Sequence, residues 1–210
     1  LEAAKKFWAF RPVTKKALPE VRDTSWPHTG IDRIVLSAQE RQGITPANDA
    51  AQATLLRRIY FDLIGLPPAP AQIRAFNKAA ATNRQEAIAG LVDELLASPQ
   101  FGVRWARHWL DIARYSESTG GGRTLLFGEA WRYRDYVVDS FNSDKPYDRF
   151  IFEQIAGDTV GMGDATGFLV SGSHVPVATV GAEASARRQA RADRMDEIMQ
   201  TEGASVLGVT

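Results

Sequence analysis

The stretch that decides the fold is FGVRWARHWLDIARYSES, residues 101–118. Its large apolar side chains recur three or four residues apart, which is the spacing of one face of an α-helix. The spacing predicts a helix that begins near Pro99, runs to about Ser118 and buries one apolar stripe. That stripe consists of Phe101, Trp105, Trp109 and Ile112.

A second, polar row follows the same helix and consists of Arg104, His108, Asp111 and Tyr115. A helix that only fills a core does not need this row. His108 is the strongest single candidate, because imidazole exchanges protons near neutral pH and binds metals. Two interpretations remain open: a proton-transfer group or a metal or haem ligand, or a half-buried histidine hydrogen-bonded to Asp111 or to a backbone carbonyl.

Composition excludes several classes of function. The chain has 210 residues, and its 25 basic and 25 acidic side chains cancel, so no net charge favours nucleic acid as a partner. It has no cysteine, which excludes covalent haem attachment and cysteine–zinc sites within these residues. The three histidines (His28, His108 and His174) are too scattered for a local metal motif. No apolar run approaches the roughly 20 residues of a membrane-spanning helix.

Helical signals recur through the rest of the chain, which predicts a mainly α fold, a multi-helix orthogonal bundle. Proline at a first turn and asparagine at an N-cap mark two of the helix starts, at Pro70 and Asn83. Besides the tryptophan helix, we expect helices near residues 31–43, 49–65, 70–76, 83–98, 129–141, 147–157 and 182–201.

Three segments have no helical pattern. Residues 1–29, with Phe7, Trp8 and Phe10 among prolines, are interpreted as an extended arm before a helical domain over residues 30–210. Glycines 120–122 form a connector or a loop that a ligand approaches, and the connector is favoured. Residues 158–180 are rich in glycine and proline, which predicts a loop-rich segment with at most a short strand.

Arginines are frequent beside the aromatic helix residues. The set consists of Arg57, Arg58, Arg104, Arg107, Arg114, Arg132 and Arg134. Arginine pairs carboxylates through two parallel hydrogen bonds, so ion pairs within the fold are the favoured interpretation. The alternative is a site for an anionic ligand such as a propionate, a sulfate or a uronate.

Four strings, in this order and spacing, are more specific than any single residue. They are RR at 57–58 with DL at 62–63 and GLPP at 65–68, RWARHWLDIARY at 104–115, WRYRDYV at 131–137, and NSDKPYDRFIFEQIAGD at 142–158. Together they resemble the planctomycete-type cytochrome c domain family of the second type, a domain of unknown function. The opening FWAFRPV, residues 7–13, resembles the arm that precedes this domain, so the resemblance covers essentially the whole chain.

The resemblance implies a periplasmic or extracellular protein that is associated with haem c. Family members continue beyond the segment that ends here at Thr210 into a Cys-x-x-Cys-His haem-attachment motif, which implies a haem-bearing downstream segment, or another chain of the assembly, as partner. The resemblance makes His108 a candidate distal haem ligand. Arg104 or Arg114 would neutralise the haem propionates, and Trp105, Asp111 and Tyr115 would complete the cofactor-binding edge.

Three functions remain as alternatives. The first is electron transfer or redox chemistry in an exported assembly linked to polysaccharide metabolism. The second is a structural module that docks partners without catalysis of its own. The third, and weakest, is the binding or cleavage of acidic or sulfated glycans through the arginine-rich edge. Enzyme and scaffold are both compatible with these residues.

Overall fold

The computed structural model describes residues 7, 11–120, 125–172 and 180–208, and their fold is mainly α-helical as predicted. Within these residues β structure is limited to two isolated bridges, Tyr115 with Gly172 and Ser118 with Leu126. Several predicted features lie outside the described residues: Trp8 and Phe10 of the arm, two of the three loop glycines, His174, and 173–179 of the loop-rich segment. The chain divides into two units, Leu1–Ala50 and Ala51–Thr210.

The first unit contains helix α1, Gly30–Arg41. The Thr29 hydroxyl caps its N-terminus by accepting from the Asp32 amide, and the Asp32 carboxylate accepts from the Thr29 amide. Both side chains thus satisfy amides that have no partner within the helix. Near the other end, the Glu40 carboxylate accepts hydrogen bonds from the Arg22 and Asp23 amides, and these bonds lower its pKa. The segment before α1 is therefore fastened to that helix. The division into an arm over 1–29 and a domain over 30–210 stays a prediction.

The second unit begins with three helices that form one apolar cluster: α2, Gln52–Leu63; α3, Pro70–Thr82; and α4, Arg84–Leu96. The proline start of α3 is confirmed, and Asn83 caps α4 by accepting from the Glu86 amide. Helix α2 was expected to begin near residue 49, but it begins at Gln52, with Ala51 at its N-cap. The buried residues of this cluster are Leu56, Tyr60, Phe76, Leu91 and Leu95.

A second cluster forms around the tryptophan helix. It contains α5, Pro99–Ile112; α6, Ala130–Asn142; and α7, Tyr147–Ala156. Two 3-10 helices, Gly157–Val160 and Gly163–Leu169, close it and occupy the described part of the predicted loop-rich segment. Trp109, Val137, Phe150 and Phe168 are among its buried residues.

The last helix is α8, Ala184–Glu202, which continues into a π-helical turn, Gly203–Leu207. Thr201 is the buried residue of α8, so most of this helix is in contact with solvent. Among the described residues, no helix is both long and apolar enough to cross a membrane.

Candidate functional site

The face of α5 that packs inward is made by small residues as well as by Trp109. Gly102, Ala106, Trp109 and Leu110 are buried. The Gly102 amide donates to Asn142 Oδ1 at 2.8 Å, and a Cβ atom on Gly102 would lie 2.5 Å from the Val138 carbonyl oxygen. Helix α6 therefore approaches α5 along its glycine–alanine row.

This packing makes the predicted apolar stripe wrong for two of its four members, Trp105 and Ile112. Trp109 is 8% exposed, whereas Trp105 is 37% and Ile112 is 50% exposed. Phe101 is half-buried. Because α6 packs on the row of Gly102 and Ala106, the buried face is rotated away from the stripe that the large side chains indicated.

The large side chains instead form an aromatic edge on the outer side of α5, consisting of Phe101, Trp105 and His108. The Phe101 and Trp105 ring centroids are 5.9 Å apart. His108 is exposed, and its ring meets the Trp105 ring edge to face at 5.3 Å. Within the described part of the chain, the His108 ring has no hydrogen-bond partner. The alternative of a histidine bonded to Asp111 is not observed.

Arg104 lies beside the aromatic edge and packs over a glycine. Its side chain is so close to Gly65 that a Cβ atom there would be 2.9 Å from Arg104 Cδ. Gly65 also has a φ of +72°, a conformation that side chains disfavour. The Arg104 Nε is buried and has no hydrogen-bond partner. Asp111 is exposed, and among the described residues its carboxylate makes no ion pair.

Helix α5 ends at Ile112, six residues before the predicted end. Arg114 has a φ of +56°, which no α-helix accommodates, and the Tyr115 amide turns back to the Leu110 carbonyl at 2.9 Å. Tyr115 then forms the bridge with Gly172. The predicted polar row is therefore divided: Arg104, His108 and Asp111 lie on α5, whereas Tyr115 lies on the loop that follows it.

Arg114 and Tyr115 have their own partners in that loop region. Arg114 forms an ion pair with Glu197 of α8 and packs against Gly172. The Tyr115 hydroxyl donates to Glu117 at 3.0 Å, and burial together with this bond raises the pKa of Tyr115 to about 12. The structure thus brings Trp105 and His108 into contact and leaves Arg114 and Tyr115 engaged elsewhere. The cofactor-binding role of all six residues stays a prediction.

A buried polar network lies behind α5 and was not predicted. Trp109 Nε1 donates to Gln154 Oε1 at 2.7 Å and to the Tyr133 hydroxyl at 3.0 Å, and Tyr133 also donates to Gln154 Oε1 at 2.7 Å. Burial raises the pKa of Tyr133. The available signal was Gln154 itself, a polar residue on the apolar face of α7.

A buried carboxylate extends this polar core. Glu153 is 3% exposed and accepts hydrogen bonds from Lys145, from Arg149 at 2.7 Å and from the Tyr136 hydroxyl at 3.0 Å. Burial opposes the ionisation of Glu153, but these bonds outweigh it and lower its pKa. The network and the carboxylate cluster are satisfied internally, which is the pattern of groups that hold a fold together.

Comparison with known protein families identifies the family of the chain. The model of the family described as PSCyt2, protein of unknown function (DUF1549), matches residues 30–210. No curated protein and no solved structure matches the chain. Within the described residues, no three histidine or acidic side chains are grouped so that they could hold a metal ion.

Proposed function

Because this chain belongs to the PSCyt2 (DUF1549) family, we propose that it is the helical module of an exported, haem-associated protein of the c-type cytochrome kind. Its role is electron transfer or redox chemistry linked to polysaccharide metabolism. The observation that supports this proposal is the placement of His108, an exposed imidazole without a hydrogen-bond partner, held against the ring of Trp105.

The aromatic edge has the chemistry of a distal haem ligand, because it contains His108. Histidine is a frequent axial ligand of haem iron, and a ring that makes no hydrogen bond keeps its nitrogens available. The contact with Trp105 restricts the orientation of the imidazole. When bound, a c-type haem supplies one-electron redox chemistry. Covalent attachment would come from cysteines of another segment, because these 210 residues contain none.

Arg104 fits a propionate better than Arg114 does. Among the described residues, both arginines have a buried Nε without an acceptor, which a carboxylate oxygen would supply. The Arg114 guanidinium, however, already forms an ion pair with Glu197, whereas no such pair engages Arg104 within the described residues. The proposed contact surface therefore consists of Arg104, Trp105 and His108, and the partner is a haem-bearing downstream segment or another chain of the same assembly.

The test uses a haem c peptide that carries its own Cys-x-x-Cys-His motif and proximal histidine. Mixed with the wild-type chain, the ferric peptide is expected to become six-coordinate and low-spin, which its Soret and visible bands report. His108→Ala should abolish this change. His28→Ala is the matched control, because His28 is also exposed, and it should behave as the wild type. An unchanged peptide spectrum with the wild-type chain, or a full response from His108→Ala, contradicts the proposal.

Partner docking without redox chemistry is the second candidate, and the exposed apolar residues favour it. Trp105 and Ile112 are more than a third exposed on the same helix as His108. Exposed aromatic residues are common anchors at protein interfaces. If Trp105→Ala weakens the binding of the peptide while His108→Ala leaves both affinity and spectrum unchanged, the surface docks its partner without ligating iron.

A further inference from the structure

An open groove of about 490 Å³ lies between α3 and α4, and none of its residues takes part in the proposed contact with haem. Each helix lines the groove with one face, because the lining residues recur three or four positions apart. Most of these side chains are small or apolar, and they include Ala75, Phe76 and Ala79 of α3 and Ala87, Gly90 and Leu91 of α4. The groove therefore offers an apolar surface to a ligand.

Gly90 keeps the groove open at a cost to its own helix. It lies in the middle of α4, where glycine is about 1 kcal/mol less favourable than alanine. Apart from its chain neighbours and the local helix backbone, no atom of the described residues lies within 4 Å of the position that a Cβ atom would take. Packing therefore does not require this glycine, and a larger side chain here would project into the groove.

The floor of the groove holds a tyrosine whose hydroxyl has no partner. Tyr60 of α2 lines the groove, although the residue as a whole is 1% exposed. Within the described part of the chain, its hydroxyl makes no hydrogen bond. The buried tyrosines of the other cluster differ, because Tyr133 donates to Gln154 and Tyr136 donates to Glu153. Buried tyrosine hydroxyls ordinarily find a partner, so that of Tyr60 is available to a ligand in the groove.

The charged side chains of the groove all have one sign. Glu86 and Glu94 of α4 line it, and among the described residues no lysine or arginine does so. Asn83 donates to one oxygen of Glu86, whereas the exposed Glu94 carboxylate forms no ion pair within the described residues. Burial and, to a smaller extent, the charge of Glu94 raise the pKa of Tyr60, so this carboxylate acts on the hydroxyl. The polar end of the groove therefore combines a carboxylate with a neutral hydroxyl.

We propose that this groove binds a small apolar ammonium, that is, a ligand with a protonated amine at one end of a hydrocarbon body. The ammonium group pairs with Glu94 and donates a hydrogen bond to the Tyr60 oxygen. The hydrocarbon body packs against Phe76 and Leu91 and is removed from water. Both carboxylates repel an anionic head group, and a neutral head group gains no ion pair with Glu94.

The experiment follows the ¹³C-labelled alanine methyl groups of the chain during a titration with hexylammonium chloride at neutral pH. Hexanol and sodium hexanoate, at the same ionic strength, are the neutral and the anionic probes of equal chain length. Saturable shifts of the Ala79 and Ala87 methyl groups are expected, with the tightest binding for hexylammonium and the weakest for hexanoate. Equal binding of all three probes, or linear shifts with hexylammonium, would overturn the proposal.

Two substitutions test the polar end of the groove. Glu94→Gln should weaken hexylammonium binding about threefold, the effect of an exposed ion pair, and should leave hexanol binding unchanged. Tyr60→Phe keeps the ring and should weaken hexylammonium binding about fivefold, the effect of one hydrogen bond. Asp93→Asn is the matched control, because Asp93 is exposed next to Glu94 and does not line the groove. Equal losses from Glu94→Gln and Asp93→Asn, or no loss from Tyr60→Phe, would contradict the proposed contacts.

A third substitution fills the groove and separates binding from folding. Gly90→Leu should abolish the saturable shifts, because the new side chain occupies the space of the ligand. The same variant should raise the thermal midpoint, since leucine favours a helix more than glycine does. Ala89→Leu is the matched control, because Ala89 is exposed at the neighbouring position of α4 and does not line the groove, and it should bind as the wild type does. Binding by Gly90→Leu with the affinity of the wild type would place the ligand elsewhere and would overturn the proposal.

Discussion

Trp105 and Trp109 lie one turn apart on α5, yet their surroundings are opposite. Trp109 is buried, and its indole N–H is bonded to Gln154 and Tyr133. Trp105 is exposed, and among the described residues its ring contacts those of the half-buried Phe101 and the exposed His108. The inner side of α5 therefore uses its polar groups to hold the fold together. On the outer side, the His108 ring makes no hydrogen bond within the described residues, so substitutions there should affect stability less than substitutions on the inner side.

The largest effect on stability is expected from removing the buried indole of Trp109. Trp109→Ala should lower the free energy of unfolding by about 3–5 kcal/mol, because it leaves a cavity and unpaired partners in the core. Trp105→Ala, one turn away, should change it by less than about 1 kcal/mol. Urea denaturation followed by circular dichroism measures both. Equal losses would remove the distinction between the two sides of the helix.

Substitution of Glu153 should have the next largest effect on the free energy of unfolding, and this effect should depend on pH. Glu153→Gln should lower the free energy of unfolding by about 2 kcal/mol at neutral pH, because the hydrogen bond between Lys145 and the carboxylate loses its ionic character. The pKa of Glu153 is lowered in the folded protein, so its stabilisation is complete above the unfolded value of 4.5. It is lost as the pH falls through the lower, folded value.

The variant should therefore lose less stability than the wild type on acidification below about pH 4.5. Thermal melts between pH 7 and pH 3 measure this difference. Glu183→Gln is the control, because Glu183 is exposed on the approach to α8. Parallel pH curves for Glu153→Gln and the wild type would show that the buried carboxylate is not linked to acid stability.

Tyr133 tests the hydrogen bonds of the buried side with a smaller change. Tyr133→Phe keeps the ring and removes the hydroxyl, so Gln154 loses one of its donors. We expect a loss of about 1 kcal/mol, the net value of a typical internal hydrogen bond. Tyr147→Phe is the matched control, because Tyr147 is 62% exposed, and it should leave the thermal midpoint unchanged.

His108 should have the smallest effect on stability. His108→Ala removes an exposed ring whose contact is with the half-exposed Trp105, so the free energy of unfolding should change by less than about 0.5 kcal/mol. The same substitution is expected to abolish ligation of the haem c peptide. A loss of stability comparable to that of Tyr133→Phe would assign His108 to the fold and would contradict its place in the proposed contact surface.

The helix starts were predictable because their causes are local. Proline suits a first turn, and an asparagine side chain reaches an amide three residues on, so Pro70 and Asn83 mark the starts of α3 and α4. The end of α5 was not predictable in this way. The left-handed conformation of Arg114 is an unusual one for a residue other than glycine, and the bridge from Tyr115 to Gly172 joins distant parts of the chain.

Which face of α5 is buried depends on where α6 packs. The spacing of residues within α5 carries no information about the position of α6. Trp109 belongs both to the predicted stripe and to the observed buried face. The observed face is the one that also contains the small residues Gly102 and Ala106. For the candidate site, the pattern assigned Trp105 to the apolar stripe and His108 to the polar row, and the contact between their rings was not predicted from the spacing. The partner of Trp109, Gln154, is 45 residues away, beyond the reach of any periodicity.

The solvent exposure of α8 has a consequence for local unfolding. Thr201 is the buried residue of this helix, and Glu197 forms an ion pair with Arg114. A helix that buries so little of its surface opens locally at a small free-energy cost, so its amides should exchange with deuterium long before those of α6. Because α8 carries arginines at 187, 188, 191 and 194, brief exposure to trypsin should cut there first. The bundle of α2 to α7 would then be recovered as a resistant fragment.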